Sequence, residues 1–338
     1  ASTPLFPGPA VIVPRKGSLG SPHLATGPFW ASDTTYAVIP KRGVDPHWLY
    51  YQLCVFELEK LNEATGVPSI SRDWLAKIDI ADQDELTQVA AAMQIKSIER
   101  QITHTEALIA KQEQVRAGLM QDLFTRGVDE TGRLRPPREE APELYHETVL
   151  GWLPKGWEVN RLGKLASAEI TYGIVQAGLH TPDGVPYIRT GDMFGRRLSI
   201  EGLMRTSKSI AAQYERSRVR AGETVIAIRA TVGKALQVPD ELDGANLTQG
   251  TARFSPSSIL CSEFALWLVR SRHVQVDIAL ATKGTTFSEI TLSDLRMVRA
   301  AFPIDRNEQS RIACVLNRLE KYWDELLASR SKLYRLRA

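Results

Sequence analysis

A chain of 338 residues is long enough for two domains of ordinary size, and 43% hydrophobic beside 24% charged content excludes a disordered or fibrous protein. A net charge of +3, from 42 basic and 39 acidic side chains, does not by itself announce a polyanionic partner, so local distribution decides. Cys54, Cys261 and Cys314 form no CxxC pair, which argues against a zinc site or disulfide framework and reads as buried thiols in a reducing compartment. No apolar run approaches the roughly 18 residues that span a bilayer, and the first residues lack the basic start of a signal peptide, so a cytoplasmic protein away from membranes is expected.

In chain order, the strand-like AVIVP arrives by residue 10 with no earlier element to pair with, so the front reads as shortened. From Glu85 to about Leu123 there is no Pro, and Gly118 is the only Gly. Apolar residues at Leu86, Val89, Met93, Ile98, Ile102, Ile109, Leu119 and Leu123 fall mostly in steps of 3 and 4. This spacing predicts one helix of roughly 40 residues, about 60 Å long. Residues 126–156, rich in Pro and charge, read as an exposed connector. A second long helix runs from Asn307 to the end, with Ile312, Leu316, Leu319, Trp323, Leu326 and Leu333 on one seam and Arg330 filling the vacant seam position. A narrow stripe of this kind needs another helix, and pairing of the two within the chain is favoured over two separate dimerisation helices.

The segments before the helices are related. VPRKGSLG at 13–20 resembles IRATVGKA at 228–235, and placing Gly20 on Gly233, Gly66 on Gly284 and Glu85 on Glu308 moves the offset only from 213 to 223. Each copy reads strand, Arg and a turn ending in Gly, strand, short helix, Gly loop, strand, long helix. Residues 157–223 have no counterpart in the first copy. Residues shared by both copies, such as Arg15 with Arg229 and Gly20 with Gly233, are expected to shape a turn or touch phosphate and not to distinguish bases.

No HExxH, GxSxG, P-loop or GxGxxG motif is present, and the six histidines share no ligand spacing. Asp79 with Asp82, or Asp240, Glu241 and Asp243, read as solvated loops in preference to metal-binding carboxylates. Positive charge is concentrated in one block: residues 186–237 hold ten basic against four acidic side chains. Arginine's planar fork suits phosphate and guanine. Thr171, Gln176, Thr190, Asn246, Thr248 and Gln249 add side chains able to read base edges. A merely solvated basic face is the competing reading.

WEVNRLGKL at 157–165, PYIRTGDM at 186–193, VIAIRATVGKA at 225–235, GTTFSEITLSDL at 284–295 and NEQSRIACVL at 307–316 together resemble the specificity subunit of type I restriction-modification enzymes, over nearly the whole chain. The resemblance implies an α+β fold in which mixed α/β target recognition domains with small β-sheets are joined by two long antiparallel helices forming a coiled coil. The implied boundaries are 1–81 for a partial first recognition domain, 82–125 for the first long helix, 126–150 for a linker, 151–304 for the second recognition domain and 305–338 for the second helix. It implies a non-catalytic subunit that reads a bipartite target on double-stranded DNA, here at least the half-site read by residues 151–290. Its partners would be two modification (methyltransferase) subunits that bind S-adenosylmethionine and restriction subunits that use ATP and Mg, with no cofactor or metal on this chain. The DNA-binding set expected is Thr171, Tyr172, Gln176, Arg189, Thr190, Arg196, Arg197, Arg205, Lys208, Arg216, Arg218, Arg229, Lys234 and Gln249. The coiled-coil set is Ile98, Ile102, Ile109, Leu119, Ile312, Leu316, Leu319, Trp323 and Leu326. A scaffold or decoy that occupies modification subunits without delivering them to DNA is the first alternative, and an enzyme with an unfamiliar site the second.

Overall fold

The computed structural model describes residues 4–284 and 288–337, so Thr285–Phe287 of the GTTFSEITLSDL segment lie outside the described residues. Strands β1 (Ala10–Pro14), β2 (His23–Ala25) and β3 (Thr35–Val38) precede α1 (Pro46–Val55), α2 (Arg72–Leu75) and the long α3 (Glu85–Thr125). The hairpin β4 (Tyr145–Thr148) and β5 (Gly151–Pro154) leads to β6 (Trp157–Arg161), α4 (Leu162–Leu165), β7 (Thr171–Tyr172), β8 (Val185–Ile188), β9 (Arg205–Thr206) and α5 (Lys208–Gln213). Then come β10 (Thr224–Ala227), β11 (Ala235–Gln237), β12 (Asn246–Leu247), β13 (Thr251–Phe254), α6 (Ser262–Arg270), α7 (Arg272–Ala281), α8 (Leu292–Met297), β14 (Arg299–Pro303) and α9 (Arg306–Arg337). The chain divides into two compact units, Ala1–Ala110 with Asp324–Ala338, and Lys111–Trp323, so each long helix contributes to both.

In the first unit β1 is the centre of an antiparallel sheet ordered β2-β1-β3. Val11 and Val13 of β1 pack with Leu49 and Leu53 of α1 and with Ile70, all buried. The α3 segment and the end of α9 run antiparallel: Tyr334 Oη donates to Glu106 Oε1 at 2.6 Å, and Arg337 pairs with Glu99 at 3.4 Å. Glu99 also accepts from Tyr51 Oη of α1 at 2.8 Å. Burial first, and this hydrogen bond second, push the Tyr51 hydroxyl well above the usual tyrosine range. The expected seam is corrected at its start. Ile102 and Ile109 are buried and Ile98 half-buried, but Leu86 (83% exposed) and Met93 (67% exposed) face solvent, and Gln88, Ala92 and Thr105 are buried in their stead.

In the second unit a sheet ordered β11-β10-β13-β7 has both faces covered, because successive residues of β10 feed different cores. Ile226 joins Phe254, Phe264, Trp267 and Phe302 together with Ile312 and Leu316 of α9. Val225 joins Ile188, Met193, Val219, Leu236 and Leu247. Leu119 and Leu319 pack against the first of these cores, Trp323 is buried and Leu326, in the first unit, is half-buried. Cys261 alone of the three thiols is buried; Cys54 is half-buried and Cys314 exposed.

The stretch 126–150 is exposed over 130–133 and 138–140, as expected, but it is anchored and not free-running: Val128, Ala141 and Tyr145 are buried, and its first part is held by Glu308, only 4% exposed at the start of α9. Its carboxylate accepts from Arg135 Nη1 and Nη2 at 2.6 and 2.8 Å, from the Val128 N–H at 3.0 Å and from the Trp157 indole at 3.0 Å. The bidentate pair raises the Arg135 guanidinium further above its ordinary value.

The internal repeat is present; Gly20 matches Gly233 as expected, while the start of the long helix and the basic residue of the turn pair differently from the expectation. Gln88 Oε1 accepts from the N–H of Asp45, which caps α1, while its Nε2 donates to Gly43 O and Gln83 O at 3.3 and 2.7 Å. Gln309 does the same for α6: it accepts from the N–H of Cys261, and its Nε2 donates to Ile259 O and Pro303 O at 2.8 and 2.9 Å. Asp84 and Asp305 each cap the first turn of a long helix. Glu85 therefore matches Arg306, and Thr87 matches Glu308. In the turns, the Gly17 N–H donates to Pro68 O as the Ala230 N–H donates to Ser288 O, so Lys16, not Arg15, is the counterpart of Arg229. Arg15 instead lies over the Tyr36 ring. The last strand differs too. β14 exists because β6 pairs with it antiparallel, whereas residues 77–82 of the first copy have no partner strand among the described residues and are not a strand.

Two stability outcomes follow. Glu308→Ala leaves Arg135 buried without its carboxylate and is expected to cost about 3–5 kcal/mol, against under about 0.5 kcal/mol for Leu86→Ala on the solvent face, both read from denaturant midpoints. Gly17 has φ 87° and its counterpart Ala230 has φ 59°, so Ala230→Gly relieves left-handed backbone and is expected to stabilise by about 0.5–1 kcal/mol, measured as a rise in Tm.

Candidate nucleic-acid interface

Four segments of the second unit converge at one end of the β10 sheet, held by backbone pairing. The stretch after β7 runs beside β12: the Gly173 N–H donates to Thr248 O, the Ile174 N–H to Leu247 O and the Gln249 N–H to Ile174 O, at 3.2, 2.7 and 3.0 Å. Only glycine fits at 173, where a Cβ would overlap the Leu247 carbonyl. The turn after β8 joins them, with the Thr248 N–H donating to Ile188 O at 3.2 Å and Thr190 Oγ1 to Gly250 O at 3.3 Å. The β10–β11 hairpin completes the group: the Ile228 N–H donates to Gly250 O at 2.9 Å. Ser288, Glu289 and Ile290 edge this hairpin through the Ala230 N–H, the Arg229–Glu289 bridge and the Ile290 N–H.

Of the expected DNA-binding set, Thr171, Tyr172, Gln176, Arg189, Thr190, Arg229, Lys234 and Gln249 lie on these converging segments. Tyr172, Gln176, Arg189 and Gln249 are exposed; the others are half-buried. The two arginines are not bare charges. Arg189 forms a bidentate pair with Asp192 at 2.7 and 3.0 Å, which raises its guanidinium above the ordinary value, and Arg229 donates to Glu289 at 2.9 and 3.0 Å. The Arg229–Glu289 pair is exposed on both sides and worth at most about 1 kcal/mol, whereas in the Arg189 pair only the guanidinium is exposed and Asp192 is largely covered; the fork of each is of the kind that also fits a phosphate or a guanine edge.

The remaining members are elsewhere. Arg205 donates to Gly184 O at 3.1 Å beside His180, and Lys208 is exposed on α5, next to the loop after Gln176. Arg216 is exposed beyond α5, and Arg218 pairs with Glu215 at 3.0 Å. Arg197 is exposed on the loop that follows Gly195. Arg196 is the clear departure from a DNA contact: its side chain turns inward to Glu320 and Trp323 of α9. Composition counted it with its neighbours because charge alone does not reveal direction.

Three exposed apolar residues on these loops escaped sequence reasoning: Val175, Leu179 (92% exposed) and Phe194 (79% exposed). An apolar residue in an irregular segment ordinarily reads as core, and no sequence signal marks these as surface. Among the described residues no group of three or more His, Cys, Asp or Glu could hold a metal ion, and no helix is long and apolar enough to cross a membrane.

Residues 154–332 match the sequence profile of the type I restriction modification DNA specificity domain. The chain is 26% identical over 247 residues to the EcoBI specificity subunit of Escherichia coli, covering 71% of this chain and 51% of that one. It is 21% identical over 304 residues to the MjaIX specificity subunit of Methanocaldococcus jannaschii, covering 86% and 66% respectively. The chain thus spans about half the length of the first relative and just under two thirds of the second. In fold it is similar to the crystal structure of the type I restriction-modification S subunit from M. genitalium, with TM-score 0.61 at 15% identity over 99% of this chain and 82% of that one. It is also similar to the HsdS subunit of Thermoanaerobacter tengcongensis, with TM-score 0.50 at 17% identity over 98% and 79%. With more than half of its residues matched, the chain belongs to the type I restriction modification DNA specificity domain family.

Proposed function

We propose that the second unit reads one half-site of double-stranded DNA through the converging end of its β10 sheet. The observation that carries this reading is the meeting there of Arg189, Arg229, Gln249, Thr190 and Tyr172 on four segments locked together through the backbone. Guanidinium and carboxamide groups are the side chains that bond bidentately to guanine and adenine edges in the major groove, and a rigid platform gives them a fixed spacing. Arg205, Lys208 and Arg216, off that platform, are suited to phosphate. The chain itself does no chemistry in this reading. Two methyltransferase subunits carrying S-adenosylmethionine, and restriction subunits using ATP and Mg, assemble on it and act where it binds. The repeat supports a second reading unit built on residues 1–81, with the long helices, residues 82–125 and 305–338, setting the gap between half-sites.

The test is DNA affinity of the full chain, assembled with its methyltransferase subunits, against the sequence recovered by methylation mapping and against an unrelated duplex over a range of salt. Arg189→Ala and Gln249→Ala are expected to lose about 1–3 kcal/mol of discrimination at one base position each. Lys208→Ala should weaken both duplexes alike and shallow the salt slope by about one. A complex with no salt-dependent DNA affinity and no mapped sequence would instead establish a scaffold or decoy.

A further inference from the structure

Between the reading turn and the body of the second unit lies a segment, residues 189–198, that is fixed at Thr190, Met193 and Leu198. At its start Thr190 is bonded to Gly250, and Met193 and Leu198 are plugged into the core beneath β10. Between those plugs the chain turns out at Phe194, passes through Gly195 with φ 69°, and sends Arg196 inward to helix α9. There Arg196 Nε donates to Glu320 Oε1 at 3.1 Å, and its guanidinium lies over the Trp323 ring at 4.8 Å. Arg270 of α6 clasps both partners: its Nη1 donates to Glu320 Oε2 at 3.2 Å and its Nη2 to the Arg196 carbonyl at 3.4 Å. Its Nε is bonded to Ala235 O of β11 at 3.0 Å, and Arg116 of α3 lies over Trp323 at 5.2 Å.

Glu320 occupies a helix position where an apolar residue would pack against α3 and α6 with less desolvation. Glu320 is 9% exposed, and a buried carboxylate can specify one arrangement of the groups that pair with it. Here those neighbours are the backbone and side chain of the segment that carries Arg189 and Thr190. Burial lowers the Arg270 guanidinium, and burial followed by the nearby Arg196 charge lowers that of Arg116, so the carboxylate is the local counter-charge that keeps the cations together.

We infer that Glu320, with Arg196 as its arm, is a positioning residue for DNA reading: it holds the 189–198 segment on α9 so that Arg189 and Thr190 meet the base edges in register. This rests on the half-site reading proposed above. Neither residue touches DNA, so their loss should blur sequence discrimination and leave phosphate attraction as it was. The experiment uses the full chain in two measurements. The first is amide hydrogen exchange of residues 189–198 without DNA. The second is affinity, assembled as above, for the mapped sequence and for an unrelated duplex over a salt series.

Glu320→Ala and Arg196→Ala are each expected to speed exchange of the segment at least tenfold and to cut the ratio of specific to non-specific affinity at least tenfold, with non-specific affinity and its salt slope unchanged. Arg196→Lys, which keeps the charge, should retain most of the ratio. Arg196→Ala leaves Glu320 paired with Arg270, so it decides the question even where Glu320→Ala fails to fold. Faster exchange with discrimination intact overturns the positioning role, as does a parallel fall in non-specific affinity, which would make Arg196 a phosphate contact. A wild-type complex that shows no sequence preference removes the half-site reading itself, and the positioning role with it.

Discussion

The second unit is organised around one buried carboxylate. Glu308 removed from water alone would carry a penalty of several kcal/mol, and it is tolerated because donors arrive from two separate stretches of chain: the Arg135 guanidinium and the Val128 N–H from 126–135, and the Trp157 indole from β6. The path of the backbone around it is fixed as a result. Gly127 takes φ 62°, and a Cβ there would overlap both the Glu308 carboxylate and the Arg135 guanidinium. The end of α3, the stretch 126–135, the start of β6 and the first turn of α9 are thereby tied to two oxygen atoms. β6 then pairs residue for residue with β14, the strand that leads into α9, so Glu308 closes a loop of structure that begins and ends beside it.

What the sequence conveyed about this arrangement divides along physical lines. The long helices were legible because their signal is local: no proline, one late glycine and apolar steps of 3 and 4. The stretch 126–150 was not, because Pro and charge say solvent unless a distant residue provides a partner, and Arg135 and Glu308 are 173 positions apart. The repeat was legible in its order and in the placing of Gly20 on Gly233, and misread at the start of the long helix and at the basic residue of the turn. Matching letters favoured Glu85 with Glu308 and Arg15 with Arg229. The fold preserves roles instead: the capping aspartates Asp84 and Asp305, the amides of Gln88 and Gln309, and the left-handed position held by Gly17 in one copy and Ala230 in the other.

The candidate reading surface shows the same division. That the block 186–237 is basic follows from counting, yet how a guanidinium is used depends on what faces it. Arg229 holds an exposed carboxylate that an anion can displace, and Arg189 is itself exposed although its partner Asp192 is largely covered, whereas Arg196 belongs to a buried network on α9 and is not available on those terms. The potential offered to any polyanion is therefore weaker than the formal excess of ten over four, and it depends on which guanidinium groups remain exposed. Phe194 and Leu179 were invisible for the complementary reason: their exposure is decided by loop paths that no periodic pattern encodes.

The polar residues of the helix seams also account for why these helices hold one register. A purely apolar stripe tolerates sliding by a turn, since one leucine replaces another at little cost, whereas a buried polar group that loses its partner costs about 1–3 kcal/mol. In the first unit Gln88 makes three hydrogen bonds around the start of α1. In the second, Gln309 makes three hydrogen bonds joining α9 to the start of α6 and the end of β14, with Glu308 immediately before it bound to Arg135 and Glu320 about three turns after it bound to Arg196 and Arg270. A slip of α9 by one turn would leave all three side chains unmatched at once. Such a slip is therefore disfavoured by several kcal/mol even before any apolar contact is lost. Where a carboxylate or amide stands in a seam that leucine would fill more comfortably, its effect is to select one alignment among many of similar packing.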